Sequence, residues 1–219
     1  NLNLNILKDS LKENQVLIIG ATRFENNKYY NSLISITKSK VNYFDKKILV
    51  PFGEFLPLRD SLNFLERIVG PNNFSSGNKQ RLINLPNNIS FIPVICYEIV
   101  FYWKLLNKLN YNSNFIINIT NDFWFGKYIG PYQHFYLTKI RAAEFNKPII
   151  RVSNNGISAV IDNKGSIIKN TQLNNTEKFK YKLYLQENIN FVNLHLILKI
   201  YFLIIFIFII FYYLRKNVE

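Results

Sequence analysis

Short apolar runs broken by polar or glycine- and proline-bearing turns dominate the first three quarters of the chain. Val16–Ala21 is one such run, followed by the polar turn Asn26-Asn27-Lys28. Tyr29–Thr37 alternates, with Leu33 and Ser35 on one side and Ile34 and Ile36 on the other, so a strand, turn, strand hairpin is expected here. Asn1–Gln15 before it has the pattern of a polar helix end, with Ile6, Leu7 and Leu11 on one side. Ile48-Leu49-Val50 predicts a short strand stopped by Pro51 and Gly53, which sets Glu54 in a turn just beyond it. Asp60–Leu85 is mixed and loop-like, broken by Gly70-Pro71 and Ser75-Ser76-Gly77, and is expected to be an insertion over a site.

Ile89–Phe101 (I-S-F-I-P-V-I-C-Y-E-I-V-F) predicts a buried strand, with Cys96 at the end of the apolar run. Tyr102–Asn110 predicts a short helix and Asn114–Thr120 another buried strand. Pro131 sits where a helix would start, with Tyr136, Ile140 and Ala143 as its apolar stripe and Lys147-Pro148 as its stop. His134, in the first turn, is expected on the helix surface or in packing. Ile149–Val152 is strand-like, and Ile157–Ile161 and Ser166–Ile168 flank Asp162-Asn163-Lys164-Gly165, a hairpin signal. Strands alternating with helices and a closing hairpin predict an α/β sandwich.

The tail has a different pattern. Phe191–Leu214 is almost wholly apolar, and Ile200–Leu214 carries no charge. At about 1.5 Å per residue such a helix is long enough for a bilayer core of about 30 Å. Asn193, His195 and Lys199 fall in its first third, within reach of the interface. Arg215-Lys216 follow directly, which places the C-terminus in the cytoplasm and the globular part outside the inner leaflet.

With 219 residues, 48% hydrophobic, the chain has material for one large core and is too apolar to be disordered. The net charge of +13 invites nucleic acid, yet the basic residues are scattered, with no zinc-finger, RNP or P-loop pattern. Anionic lipid explains the charge equally well. One cysteine excludes an internal disulfide, and two scattered histidines give no metal-ligand spacing. The chain has no methionine and opens Asn1-Leu2-Asn3, as expected for the C-terminal part of something longer. Two alternatives stand for Cys96: a buried thiol that packs as a small hydrophobe, or a nucleophile at a strand end beside the carboxylate of Glu98.

The segments K-K-I-L-V-P-F-G-E-F-L-P, I-C-Y-E-I, N-D-F-W-F-G-K-Y-I-G-P-Y-Q-H-F, R-A-A-E-F-N-K-P-I-I-R and S-N-N-G-I-S-A-V-I-D resemble the apolipoprotein N-acyltransferases of the nitrilase, or carbon-nitrogen hydrolase, superfamily. The resemblance covers roughly Lys46 to Asp162. It implies a nitrilase-like αββα sandwich, incomplete at its N-terminus, over 1–190, one transmembrane helix over 191–214 and a cytoplasmic tail over 215–219. The implied setting is the bacterial inner membrane, with the catalytic domain on the periplasmic side and no cofactor, metal or nucleic acid.

By the same resemblance Cys96 is the nucleophile and Lys46 stabilises the thiolate and the oxyanion. Glu54, Tyr97 and Glu98 are supporting residues, the two glutamates holding Lys46 charged and oriented. The implied partners are a phospholipid acyl donor and a diacylglyceryl apolipoprotein acceptor. Phe123–Phe125 either contact lipid chains or pack in the core. The family's base glutamate follows a proline upstream of the lysine. Here Glu13 and Glu25 are the glutamates before Lys46, and the first proline is Pro51, so neither is assigned that role. Two other readings remain: a nitrilase-family amidase that uses water, and a non-catalytic part of a split or decayed acyltransferase.

Overall fold

The structure is a computed structural model, and it describes residues 4–58, 73–107, 109–185 and 194–216. The described chain runs from helix α1 (Leu4–Asp9) through strands β1 (Leu17–Glu25), β2 (Lys28–Ile36), β3 (Val41–Asp45), β4 (Ile83–Asn84), β5 (Ser90–Ile95) and β6 (Phe115–Thr120). Helix α2 (Gly130–Phe145), strands β7 (Ile149–Ser153), β8 (Ala159–Ile161) and β9 (Ile167–Asn170) and helix α3 (Leu194–Lys216) follow. The chain divides into two compact units, Asn1–Glu187 and Asn188–Glu219.

In the first unit β1, β2 and β3 form an antiparallel sheet, and β4 to β9 form a second sheet in sequence order, with β5, β6 and β7 parallel. Asn26 and Asn27 both take positive φ at the tip of the β1–β2 hairpin, the left-handed pair that a two-residue turn needs and that Asn tolerates. The period-two alternation of β5 and β6 separates two cores. Phe91, Ile95, Phe115 and Ile117 face Leu33 and Phe44 of the small sheet. Ile92, Val94 and Ile116 face Phe135, Ala142 and Phe145 of α2. The result is three layers, sheet on sheet on helix. A second helical layer, as a four-layer sandwich would have, is not among the described residues.

Several local expectations are corrected. Ile48–Val50 is not a strand: the N–H groups of Lys47 and Ile48 donate to the Glu98 carboxylate and that of Val50 to Glu54, so no ladder forms. The third strand lies earlier, at Val41–Asp45. The helix expected over Tyr102–Asn110 is a single 3₁₀ turn, Tyr102–Lys104. In α2 Tyr136 and Ala143 are exposed and Ile140 is only half-buried, while His134, Phe135, Thr138, Arg141, Ala142 and Phe145 are buried. That face holds polar side chains that an apolar-stripe search passes over. Of the expected insertion, residues 60–72 lie outside the described residues, and the remainder includes β4.

In the second unit α3 is a helix of 23 residues. Its described side chains, 198–211 and Arg215, are exposed, and every residue from Ile200 to Phe211 is apolar or aromatic. Among the described residues no helix is long and apolar enough to cross a membrane.

Candidate active site

Lys46 leaves the end of β3 in a fixed position. The preceding Asp45 accepts hydrogen bonds from Arg23 Nε (3.2 Å) and Nη2 (2.7 Å) and from Ser32 Oγ (2.6 Å). The Lys46 N–H donates to the Asn31 carbonyl at 2.8 Å, and its carbonyl accepts from Gly77 at 2.9 Å. A Cβ at Gly77 would stand 2.4 Å from the Asp45 carbonyl oxygen, so the approach requires glycine. The Lys46 side chain is 1% exposed, and Nζ donates to Glu54 Oε2 at 2.5 Å. Glu54 also accepts from the Val50 N–H (2.8 Å) and Asn31 Nδ2 (2.9 Å). A buried ammonium is tolerated only when paired and hydrogen-bonded in this way.

Cys96 stands at the junction of β5 and a 3₁₀ turn over Cys96–Val100. Its φ of +50 lies in the left-handed region that non-glycine residues rarely adopt, a strain of about 1–3 kcal/mol that the surroundings must hold. The thiol is half-buried and unpaired with another cysteine.

What holds this turn is Glu98, fully buried two residues on. It accepts from the Ile95 N–H (2.9 Å), Arg81 Nη1 (2.8 Å) and Nη2 (2.7 Å), and the N–H groups of Lys47 (2.8 Å) and Ile48 (3.1 Å). Glu98 therefore joins the backbone beyond Lys46 to the backbone on either side of Cys96. Its carboxylate is bonded to main chain and to Arg81, not to the Lys46 ammonium, which corrects the expected role. Arg81 Nη1 also donates to the Pro93 carbonyl at 2.8 Å. β4 pairs only as far as Phe91, so Arg81 supplies the donor for the Pro93 carbonyl that β4 does not reach. Tyr97 packs its ring against Phe101 (5.7 Å between centroids), Phe125 (6.3 Å) and His134 (6.3 Å).

A second buried cluster lies on the α2 side. Asp122, at the start of a 3₁₀ turn over Asp122–Phe125, is fully buried and accepts from Thr120 Oγ1 (3.0 Å), His134 Nδ1 (2.9 Å) and Arg151 Nη2 (2.6 Å). Arg151 Nη1 donates to Asn118 Oδ1 (2.6 Å) and Thr138 Oγ1 (3.1 Å), and Nε to the Ile157 carbonyl (3.2 Å). Burial alone would raise the Asp122 pKa, but the hydrogen bond from His134 and the Arg151 charge outweigh it and hold it at about 2. Burial pushes His134 below its ordinary value, against the opposing pull of Asp122 and of the Cys96 carbonyl. The neutral ring assigned from this network carries its proton on Nδ1. Its 3.1 Å approach to Arg151 is then donor against donor, not a bond.

Asp122, Arg151, Arg81 and the polar partners of His134 escaped the sequence reading, while its buried ring is the packing alternative of the two expected for it. Asp122 and His134 lay inside quoted motifs, but only contact across β6, α2 and β7 reveals what they do. Phe123 and Trp124, beside Asp122, are exposed, whereas Phe125 is half-buried against His134 at 4.7 Å. Among the described residues no group of three His, Cys, Asp or Glu could hold a metal ion.

Comparison with known proteins points to one family. Residues 3–185 match the carbon-nitrogen hydrolase family. The chain is 41% identical over 182 residues to an apolipoprotein N-acyltransferase of Allorhizobium ampelinum, covering 78% of this chain and 34% of the relative. It is 40% identical over 173 residues to the apolipoprotein N-acyltransferase of Brucella melitensis biotype 1, covering 73% and 32%. The chain thus spans about a third of the length of the curated relatives it matches. Two solved structures share the fold. Saccharomyces cerevisiae Nit3, a nitrilase superfamily member, has a TM-score of 0.58 at 19% identity, over 79% of this chain and 62% of Nit3. The glutamine-dependent NAD+ synthetase of Acinetobacter baumannii has a TM-score of 0.61 at 16% identity, over 84% and 36%.

Proposed function

The chain belongs to the carbon-nitrogen hydrolase family, and on that footing we propose that it carries the acyl-transfer site of an apolipoprotein N-acyltransferase. The observation that carries the reading is the coupling of two strained or costly features through one carboxylate. Glu98 ties the backbone beside the buried Lys46–Glu54 pair to the left-handed turn of Cys96. On this reading Lys46 serves Cys96, because an ammonium beside a thiolate activates it as a nucleophile and also stabilises the oxyanion.

In the first half-reaction the Cys96 sulfur attacks an ester carbonyl of a phospholipid. The ester C–O bond breaks, and the lysophospholipid leaves with the proton as the thioester forms. In the second, the N-terminal amine of a diacylglyceryl-cysteine lipoprotein attacks the thioester. The amide forms, the C–S bond breaks and the thiol is restored. Glu54 holds the Lys46 side chain in place, Tyr97 lines the approach, and the exposed Phe123 and Trp124 contact lipid chains.

The reading extends to the membrane. A helix apolar on every side must be buried in protein or lipid, and Ile200–Phe211 is exposed throughout. Although no described helix is by itself long and apolar enough to cross, the resemblance supports placing the whole of 191–214 across the bacterial inner membrane, 1–190 on its periplasmic side and 215–219 in the cytoplasm. A second reading, a domain that does not turn over by itself, is favoured by one observation. Among the described residues Glu54 is the carboxylate paired with Lys46, and no second one is bonded to it as a base.

Intact mass of the chain in detergent with phospholipid is the test. The expected result is an acyl-sized, hydroxylamine-sensitive adduct that is absent from Cys96→Ala. Folded protein that takes up no acyl chain, alone or with the preceding part of a full-length relative, would overturn the reading.

A further inference from the structure

Asn31 lies in β2 one place beyond the Ser32–Asp45 pair, where the β2–β3 register sets it opposite Lys46. The Lys46 N–H closes that rung by donating to the Asn31 carbonyl at 2.8 Å. Residues directly opposite in an antiparallel ladder carry their side chains on one face of the sheet. Asn31 and Lys46 therefore share a face, and Glu54 meets them both. Asn31 Nδ2 donates to Glu54 Oε1 at 2.9 Å, while Lys46 Nζ (2.5 Å) and the Val50 N–H (2.8 Å) donate to Oε2. The terminal torsion of a glutamate has no sharp preference, so donors on both oxygens are what fix the carboxylate plane.

We propose that Asn31 is a positioning residue for Lys46: its carbonyl holds the lysine main chain, and its amide turns Glu54 so that Oε2 faces the ammonium. The proposal rests on the acyl-transfer reading for what Lys46 does, but not for how Lys46 is held. Lys46 is 1% exposed, and a buried ammonium is costly unless its partner is set in place. A carboxylate free to rotate would leave that charge unpaired part of the time. Asparagine suits the position because its amide donates, whereas a carboxylate there would face Glu54 with like charge. The carbonyl contact is main chain and survives a side-chain change, so variants at 31 isolate the hold on Glu54.

The test is acetylation of the full chain in detergent by acetic anhydride, with Lys46 and Lys47 read separately by mass spectrometry. Lys47, half-buried and next in the chain, is the internal reference. Loosening of the whole segment raises both lysines, whereas release of Glu54 raises Lys46 alone. For Asn31→Ala the ratio of Lys46 to Lys47 modification is expected to rise about tenfold or more over wild type at every pH, the size of a lost hydrogen bond to a charged group. Asn31→Asp keeps the shape but donates only while protonated, and beside Glu54 its carboxyl holds the proton to higher pH than a free one. Its ratio is expected near wild type at pH 5 and close to the alanine value at pH 8. That comparison is made within one protein and decides the matter even if Asn31→Ala fails to fold. A wild-type ratio in Asn31→Ala, both lysines rising together, or no change with pH in Asn31→Asp would overturn the proposal. So would an acyl adduct on Cys96 that forms as fast in Asn31→Ala as in wild type, which would leave the acyl-transfer reading standing. Ratios in the expected order in a protein that never takes an acyl chain would sink that reading and leave this one.

Discussion

Two buried arginine–carboxylate clusters flank the Cys96 turn, and they are finished differently. At Glu98 the carboxylate is saturated: Arg81 meets it with two nitrogens, and three backbone N–H groups fill the rest. Most of its partners are main chain, so it fixes where the chain runs. At Asp122 most of the hydrogen-bond partners are side chains, and the network ends in an imidazole with one nitrogen unsatisfied. A saturated carboxylate braces the fold. A cluster built from side chains braces only the elements that carry them, here the loop after β6, α2 and β7. Both clusters cost desolvation, and neither is evidence of stability by its presence alone.

The most severe way to break this comparison is to remove one arginine. Arg81→Ala leaves the Glu98 charge buried without its partner and is expected to cost about 3–5 kcal/mol, read as a drop in the urea midpoint. Loss of less than about 1 kcal/mol would mean that the backbone donors alone satisfy Glu98.

Gly156→Ala strikes the other cluster. The new Cβ must displace Asp122 or its own backbone, with an expected cost of about 1–3 kcal/mol, read as a drop in the urea midpoint; an unchanged midpoint would show that the loop yields freely.

The mildest is a change of pH. Asp122 is held at about 2 against an ordinary 3.8, so its folded form binds fewer protons than its unfolded form over that range. Its contribution, about 2 kcal/mol, is complete above about pH 4 and is lost as pH falls toward 2. His134, also lowered, acts in the same direction below its ordinary 6.5. Denaturation midpoints followed downward in pH are expected to fall more steeply for wild type than for Asp122→Asn. Parallel curves would show that Asp122 is not the group responsible.

How far the sequence reached differs between the same two regions. Lys46 was drawn to Cys96 and Glu54 by the resemblance, whereas those two were legible as positions because each sits at a break in an apolar pattern. The strand cores of β2, β5, β6 and β7 were legible for the same reason, since alternation is a local property of the chain. Ile48–Val50 misled because three apolar residues in a row look the same whether their N–H groups meet a strand or two carboxylates. His134, Thr138 and Arg141 made the buried face of α2 polar, and a search for apolar residues then shifted the stripe to Tyr136, Ile140 and Ala143.

By itself the sequence determined the α/β alternation and the strand runs, which follow from residue type and short-range period, while Lys46, Glu54 and Cys96 were joined into one site by the family resemblance. It also marked the apolar tail. Tertiary structure alone decided that Glu98 serves the backbone instead of the lysine, that Arg81 and Arg151 are its and Asp122's counter-charges, and that His134 turns Nδ1 to Asp122 and packs its ring against Tyr97 and Phe125. Hydrophobic periodicity is written within one segment. A buried polar group is satisfied by partners from other segments, 17 residues away for Arg81 and Glu98 and 29 for Arg151 and Asp122, and no local pattern specifies which.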